Sequence, residues 1–147
     1  MNTLNEIQIH YTRPASHFHK ITSSKTAFEL AKKAYRTTKS NLDLKEYFFI
    51  LLLRRDSSVI GFHKVSEGGL SGTIADSKLI FSTCLKCLCS SVVLIHNHPS
   101  GNNTPSNSDI RLTNKLVEAG KLLDIKVLDH LIITSGSYYS FADEGLI

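Results

Sequence analysis

The sequence predicts an α/β fold, a mixed β-sheet sandwiched by helices. Strand-like and helix-like patterns alternate through the middle of the chain, the order expected when helices cover both faces of one sheet. The strand-like runs are apolar and rich in sheet-favouring residues. Of the 147 residues, 41% are hydrophobic, enough for one domain with a core of ordinary size.

Each element follows from a local pattern. Residues 1–22 hold an alternating stretch, Glu6-Ile7-Gln8-Ile9-His10-Tyr11, and then Pro14, which reads as an arm or edge strand. The domain itself is expected over residues 23–147. Ser23 or Ser24 can cap a helix over residues 25–39, where Phe28, Ala31 and Tyr35 recur at helical spacing. Residues 46–54 and 59–66 are two strand runs, and Arg55-Asp56-Ser57-Ser58 between them supplies a hairpin turn. Gly68, Gly69 and Gly72 mark a turn or bulge before a short strand ending near Ala75. Asp76 can cap a helix running from Ser77 to about Cys89. A buried-looking strand over residues 91–96 leads into a loop rich in Pro, Ser, Gly and Asn. The next helix, residues 107–123, places Leu112, Leu116, Ala119 and Leu123 on one face. Strands over residues 125–134 and 138–141 complete the set.

Composition excludes several classes. The longest apolar run, residues 47–53, is seven residues long, where a membrane span needs roughly 20. The opening MNTLNEIQIHYTRP has no apolar core of a secretory signal, so a cytoplasmic protein is expected. Cys84, Cys87 and Cys89 form an odd, clustered set that suits a reducing compartment better than a disulfide framework. A zinc finger built on them fails on spacing, since no second ligand pair follows, and core packing of small thiols explains them. Net charge is +4. Lys20, Lys25, Lys32, Lys33, Arg36 and Lys39 concentrate positive charge around one acid, Glu29. That admits a contact with nucleic acid, but a solvated helix face explains it more simply.

The most informative stretch is HNHPSGNNTPSNSD, residues 96–109. Side chains alternate along a strand, so His96 and His98 leave the end of SVVLIH on the same side while Asn97 points away. Asp109 falls in the first turn of the following helix. Two imidazoles and a carboxylate suit Zn²⁺ and leave a fourth position open, as catalytic zinc requires. Ser106 and Asp109 also form Ser-x-x-Asp before an apolar helix, a capping box by itself. The two readings are compatible. His17-Phe18-His19 is a built-in control: it has the same His-x-His pair, but no acid follows it within nine residues. Asp129 and His130 adjoin on a late strand, either as a buried structural pair or as groups that orient a ligand.

The spacing His96-x-His98, seven residues, Ser106-x-x-Asp109 resembles the JAMM signature of the JAB/MPN metallohydrolases, and HNHPSG resembles their RadC-like branch. The likeness extends to Ser71-Gly72-Thr73, the helix after Asp76, Leu128-Asp129-His130 and YYSFADEG at residues 138–145. It covers roughly residues 45–147. The resemblance implies a cytidine-deaminase-like architecture and zinc-dependent hydrolysis of peptide or isopeptide bonds, with one Zn²⁺ per chain on His96, His98 and Asp109. It further implies that Ser106 helps hold an oxyanion and that a glutamate on an earlier strand acts as general base. Glu46, at the start of an apolar strand, and Glu67, in a Gly-rich bend, compete for that role, with Glu46 the better placed. Full-length RadC-like proteins carry an N-terminal helical domain, for which the residues ahead of Glu46 are too few, so a short form is expected. A peptide or protein is the expected substrate, and DNA a weaker candidate partner.

Other zinc and nuclease readings fit less well. A zinc deaminase needs His-x-Glu and a later Pro-Cys-x-x-Cys, which are missing here. His-Glu-x-x-His is likewise absent. The letters HNH are not an HNH nuclease, whose residues spread over a longer unit. The rival that remains is a non-hydrolytic module of the same fold that binds DNA or a protein partner, in DNA repair or mobile-element biology.

Overall fold

The computed structural model describes residues 19–68 and 74–147. The arm expected at residues 6–11 lies outside the described residues, as does most of the short strand expected before Ala75; Ile74 and Ala75 themselves are not in a strand.

The elements run α1 (Ser24–Thr37), β1 (Tyr47–Leu53), β2 (Val59–Glu67), α2 (Ser77–Lys86), β3 (Ser91–Asn97), α3 (Asn107–Leu122), β4 (Lys126–Ile133) and β5 (Tyr138–Ser140). One five-stranded sheet has the order β2-β1-β3-β4-β5. Only β3 and β4 pair in parallel, with α3 as the crossover between them; the other neighbours are antiparallel. The sheet is therefore mixed, as expected, and α1 lies on one face with α2 and α3 on the other.

Burial on both faces explains why β1 is apolar throughout. Tyr47, Phe49, Leu51 and Leu53 pack with Ala27, Phe28, Ala31 and Tyr35 of α1. Phe48, Ile50 and Leu52 join Ile80, Phe81, Cys84 and Leu116 beneath α2 and α3. Each fully buried side chain of this size contributes about 1.5–3 kcal/mol. The ends of α1 are set locally. Ser23 Oγ accepts from the Thr26 N–H at 3.2 Å, and Thr26 Oγ1 accepts from the Ser23 N–H at 3.0 Å.

Two helices differ from expectation. Helix α2 ends at Lys86 rather than near Cys89, because Leu88 turns into the left-handed region (φ 52°) and the Cys89 N–H bonds back to the Cys84 carbonyl. Glycine or asparagine normally marks such a stop, and neither is present. In α3 the deepest positions are Thr113, Leu116 and Gly120, whereas Leu123 is 41% exposed. Leu116 lies on this inner face as expected, Leu112 and Ala119 pack at its flank, and only Leu123 falls outside it. Glycine suits position 120, since a Cβ there would lie 2.3 Å from the Ile125 carbonyl oxygen.

A bulge in β4 bears directly on function. Val92 pairs with Val127, but Val93 pairs with Asp129, which leaves Leu128 as an additional residue. Paired residues on neighbouring strands share a face. Asp129 therefore faces α1 with Val93, and His130 faces α3 with Leu94.

Candidate metal centre

His96 comes from the carboxyl end of β3, on the face beneath α2 and α3, with a side chain only 2% exposed. His98 follows one residue beyond the strand, where the chain turns sharply. The Gly101 N–H donates to the His98 carbonyl at 3.0 Å, and Gly101 takes φ +81°, which glycine adopts without strain. This turn aims the loop back toward α3. Ser106 caps that helix, and Asp109 in its first turn meets the two imidazoles.

The donor atoms converge. His96 Nε2 and His98 Nε2 are 3.0 Å apart, Asp109 Oδ1 is 3.2 Å from His96 Nε2, and Asp109 Oδ2 is 3.6 Å from His98 Nε2. Donors bound tetrahedrally to one Zn²⁺ at 2.0–2.1 Å stand about 3.3–3.4 Å apart, so the spacing fits such an ion. The chemistry of His98 fits too. Its Nδ1 lies 2.7 Å from the Asn102 carbonyl oxygen, which only accepts, so Nδ1 carries the proton and neutral Nε2 presents a lone pair. His96, His98 and Asp109 form a group able to hold a metal ion, the only one of its kind among the described residues.

The cap and the metal group share one carboxylate. Asp109 Oδ2 accepts from the Ser106 backbone N–H and from Ser106 Oγ, both at 2.7 Å, while Ser106 Oγ accepts from the Asp109 N–H at 3.1 Å. Burial opposes ionisation of Asp109. The contacts with the His96 and His98 rings outweigh it and hold the carboxyl well below the usual carboxylate range. The same contact with Asp109 raises the pKa of His98 against its partial burial, and the charge of Glu46 adds to the rise.

Glu46 lies in the turn immediately before β1, half-buried, with its charge felt at His98 and at the buried Tyr35 hydroxyl. Glu67 is engaged elsewhere. Its carboxylate pairs with Lys45 at 3.0 Å and Lys64 at 3.1 Å on the exposed end of the β1–β2 hairpin.

Four further residues organise this end of the sheet. Asn97, fully buried, points to the α1 face, where its amide donates to the Leu42 and Lys45 carbonyls, each at 2.7 Å. Its oxygen accepts from the Tyr47 N–H at 2.8 Å and the Tyr35 hydroxyl at 3.1 Å. Glu46 sits between two of these anchors. Strand alternation alone shows Asn97 pointing away from the histidines and carries no signal of this anchoring role. His130 and Thr113 lie beneath His96, with His130 Nε2 2.8 Å from His96 Nδ1. Thr113 could have been found from its polarity on the inner face of α3. Asp129 binds Ser140 Oγ and the Ala142 N–H instead, so the Asp129-His130 pair divides between the two faces of the sheet. Of the control pair, His19 is exposed and His17 lies outside the described residues.

A mixed sheet between helices, with His-x-His at a strand end and an aspartate on the next helix, defines a JAB-type domain. The chain belongs to the RadC-like JAB domain family, whose profile matches residues 21–146. Over 127 residues it is 43% identical to a UPF0758 protein of Flavobacterium johnsoniae, covering 86% of this chain and 53% of that protein. It is 46% identical over 103 residues to a UPF0758 protein of Alkaliphilus metalliredigens, covering 70% of this chain and 44% of the relative. A UPF0758 protein of Methanosarcina mazei is 41% identical over 128 residues, with 87% and 54% covered. The chain thus spans about half the length of the curated relatives it matches. Among the described residues, no helix is long and apolar enough to cross a membrane.

Proposed function

We propose that this chain is a zinc-dependent hydrolase of peptide or isopeptide bonds. The reading rests chiefly on the convergence of His96 Nε2, His98 Nε2 and Asp109 within 4.8 Å of one another, which leaves a fourth coordination position for chemistry. A zinc ion held there supplies Lewis-acid chemistry toward water and a carbonyl group.

The residues divide the remaining work. Glu46, the acid whose charge reaches His98, takes the proton of the attacking water and delivers it to the departing amine. Asn97 anchors the backbone on either side of Glu46, at Lys45 and Tyr47, which supports this assignment. Ser106 turns its hydroxyl from Asp109 to the oxyanion as negative charge develops, while its backbone N–H continues to hold Asp109. Glu67 takes no part, since two lysines already hold it.

The test is metal analysis of wild type and Glu46→Gln, with turnover measured on quenched peptides and on isopeptide-linked substrates. Both proteins should bind one zinc, and the variant should lose about 10²–10⁴-fold in kcat. Full activity in Glu46→Gln would remove Glu46 from the mechanism. Zinc binding without turnover, together with a salt-dependent DNA shift that survives zinc removal, would favour a non-hydrolytic binding module instead.

A further inference from the structure

A closed chain of hydrogen bonds joins two of the candidate ligands from below. Thr113 Oγ1 lies 2.6 Å from the Asp109 carbonyl oxygen, one turn back in α3, and 2.6 Å from His130 Nδ1. His130 Nε2 lies 2.8 Å from His96 Nδ1. His96 and Asp109 then meet again at the metal group itself, 3.2 Å apart.

The direction of every bond follows from what each atom can do. A carbonyl oxygen only accepts, so the single Thr113 proton goes to Asp109. Thr113 Oγ1 must then accept from His130, which places a proton on His130 Nδ1. His130 is fully buried, between the ring of Phe141 at 4.9 Å and that of Phe48 at 5.7 Å. Asp129 accepts from its backbone N–H at 2.7 Å, but the partners of its ring are Thr113 and His96, and a charge buried this deeply with no counter-ion on the ring is disfavoured. A neutral His130 protonated at Nδ1 has a bare Nε2, which accepts from His96 Nδ1–H. His96 Nε2 is consequently left with its lone pair directed at His98 and Asp109.

We infer that His130, seated on Thr113, is a positioning residue that locks His96 in the Nδ1–H form and so presents Nε2 to the metal. The arrangement needs an acceptor below His96, and a neutral imidazole supplies it without adding charge. It also constrains the ring plane of His96, whose Nδ1 lies 2.8 Å from His130 Nε2. Through Thr113 the same chain registers the first turn of α3 against the end of β3, and so sets the distance between two ligands on different elements. This inference depends on the metal group alone and holds whether or not the chain hydrolyses anything.

The test uses the full chain and zinc itself. Zinc affinity is measured by competition with a chromophoric chelator for wild type, His130→Leu, His130→Gln and Thr113→Val. Long-range ¹⁵N–¹H correlation of the metal-free proteins at one mildly alkaline pH reads the His96 tautomer. His130→Leu, which removes the acceptor, should bind zinc about 10–100-fold more weakly and should lose the single Nδ1–H form. His130→Gln offers an amide oxygen near the former Nε2 position and should restore most of the affinity. Thr113→Val keeps the volume of the side chain, should weaken binding less, and should mix the tautomers. Unfolding curves identify any variant that fails to fold, and Thr113→Val, the least disruptive, then decides the matter through its tautomer signal. Wild-type affinity and an unaltered His96 tautomer in folded His130→Leu or Thr113→Val would overturn the inference. Loss of peptidase activity with zinc affinity intact would concern Glu46 and the hydrolytic reading instead.

Discussion

The side-chain oxygen of Asn97 accepts from the backbone N–H of Tyr47 at 2.8 Å, across fifty residues of sequence. It does so from the opposite face of the strand that carries His96. One residue of the HNH tripeptide therefore ties down the turn bearing Glu46, while its neighbours supply metal ligands. Asn97→Ala strips partners from two carbonyls and from the Tyr47 N–H, and should destabilise the domain by roughly 2–5 kcal/mol, as buried polar groups left unpaired do. Chemical denaturation provides the measurement, and a change below the error of the midpoint would refute it.

Glu67→Gln separates the two acids that compete as base. Its partners Lys45 and Lys64 are substantially exposed, and solvent-screened pairs of this kind contribute little to stability. Stability and kcat/KM should both stay close to wild type, in contrast to Glu46→Gln. A collapse of turnover in Glu67→Gln, with zinc still bound, would reverse the assignment.

Gly120→Ala probes the approach of α3 to β4. The new methyl would face backbone, the Ile125 carbonyl, at 2.3 Å, and backbone cannot swing aside as a flexible side chain can. Destabilisation of about 1–3 kcal/mol is expected, typical of overpacking. Zinc affinity should not change, because Asp109 sits at the other end of the helix. Thermal unfolding beside a zinc titration checks both halves.

Asp56 offers a clean test against pH. Ser58 Oγ and the Ser58 N–H both donate to its carboxylate, with Lys20 nearby, and they lower its pKa to about 2. An unfolded aspartate titrates near 3.9. The depressed value means that the turn's contribution is complete above about pH 4 and is lost as pH falls through the folded value. A carboxyl ¹³C titration should place the Asp56 midpoint near 2, and Ser58→Ala should move it part of the way back. An ordinary midpoint in the wild type would contradict the hydrogen bonding described for this hairpin.

The ligands were legible because they are local. Strand alternation puts His96 and His98 on one side, and a capping signal puts Asp109 in a first turn, with no need to know the fold. The sheet was legible for a related reason, since a strand buried on both faces, such as Tyr47–Leu53, must be apolar throughout. What stayed hidden depends on long-range registration. The end of α2 rests on Leu88 in a conformation that its residue type does not advertise. The true inner face of α3 runs through Thr113 and Gly120, because β4 packs close and His130 needs a hydroxyl partner. Nothing in Leu128-Asp129-His130 by itself reveals which of its two polar residues faces the ligands.

That last point turns on the additional residue in β4. With strict alternation from Val127, the odd-numbered Asp129 would have faced α3 and the even-numbered His130 would have faced α1. Leu128 reverses the count. The chemistry beneath His96 is thus decided by parity, a neutral acceptor for one count and a carboxylate for the other. Exchanging Leu128 for another apolar residue leaves the count untouched. Drawing it into the ladder as a paired residue would keep every letter of the metal-binding motif and still place the wrong side chain under it.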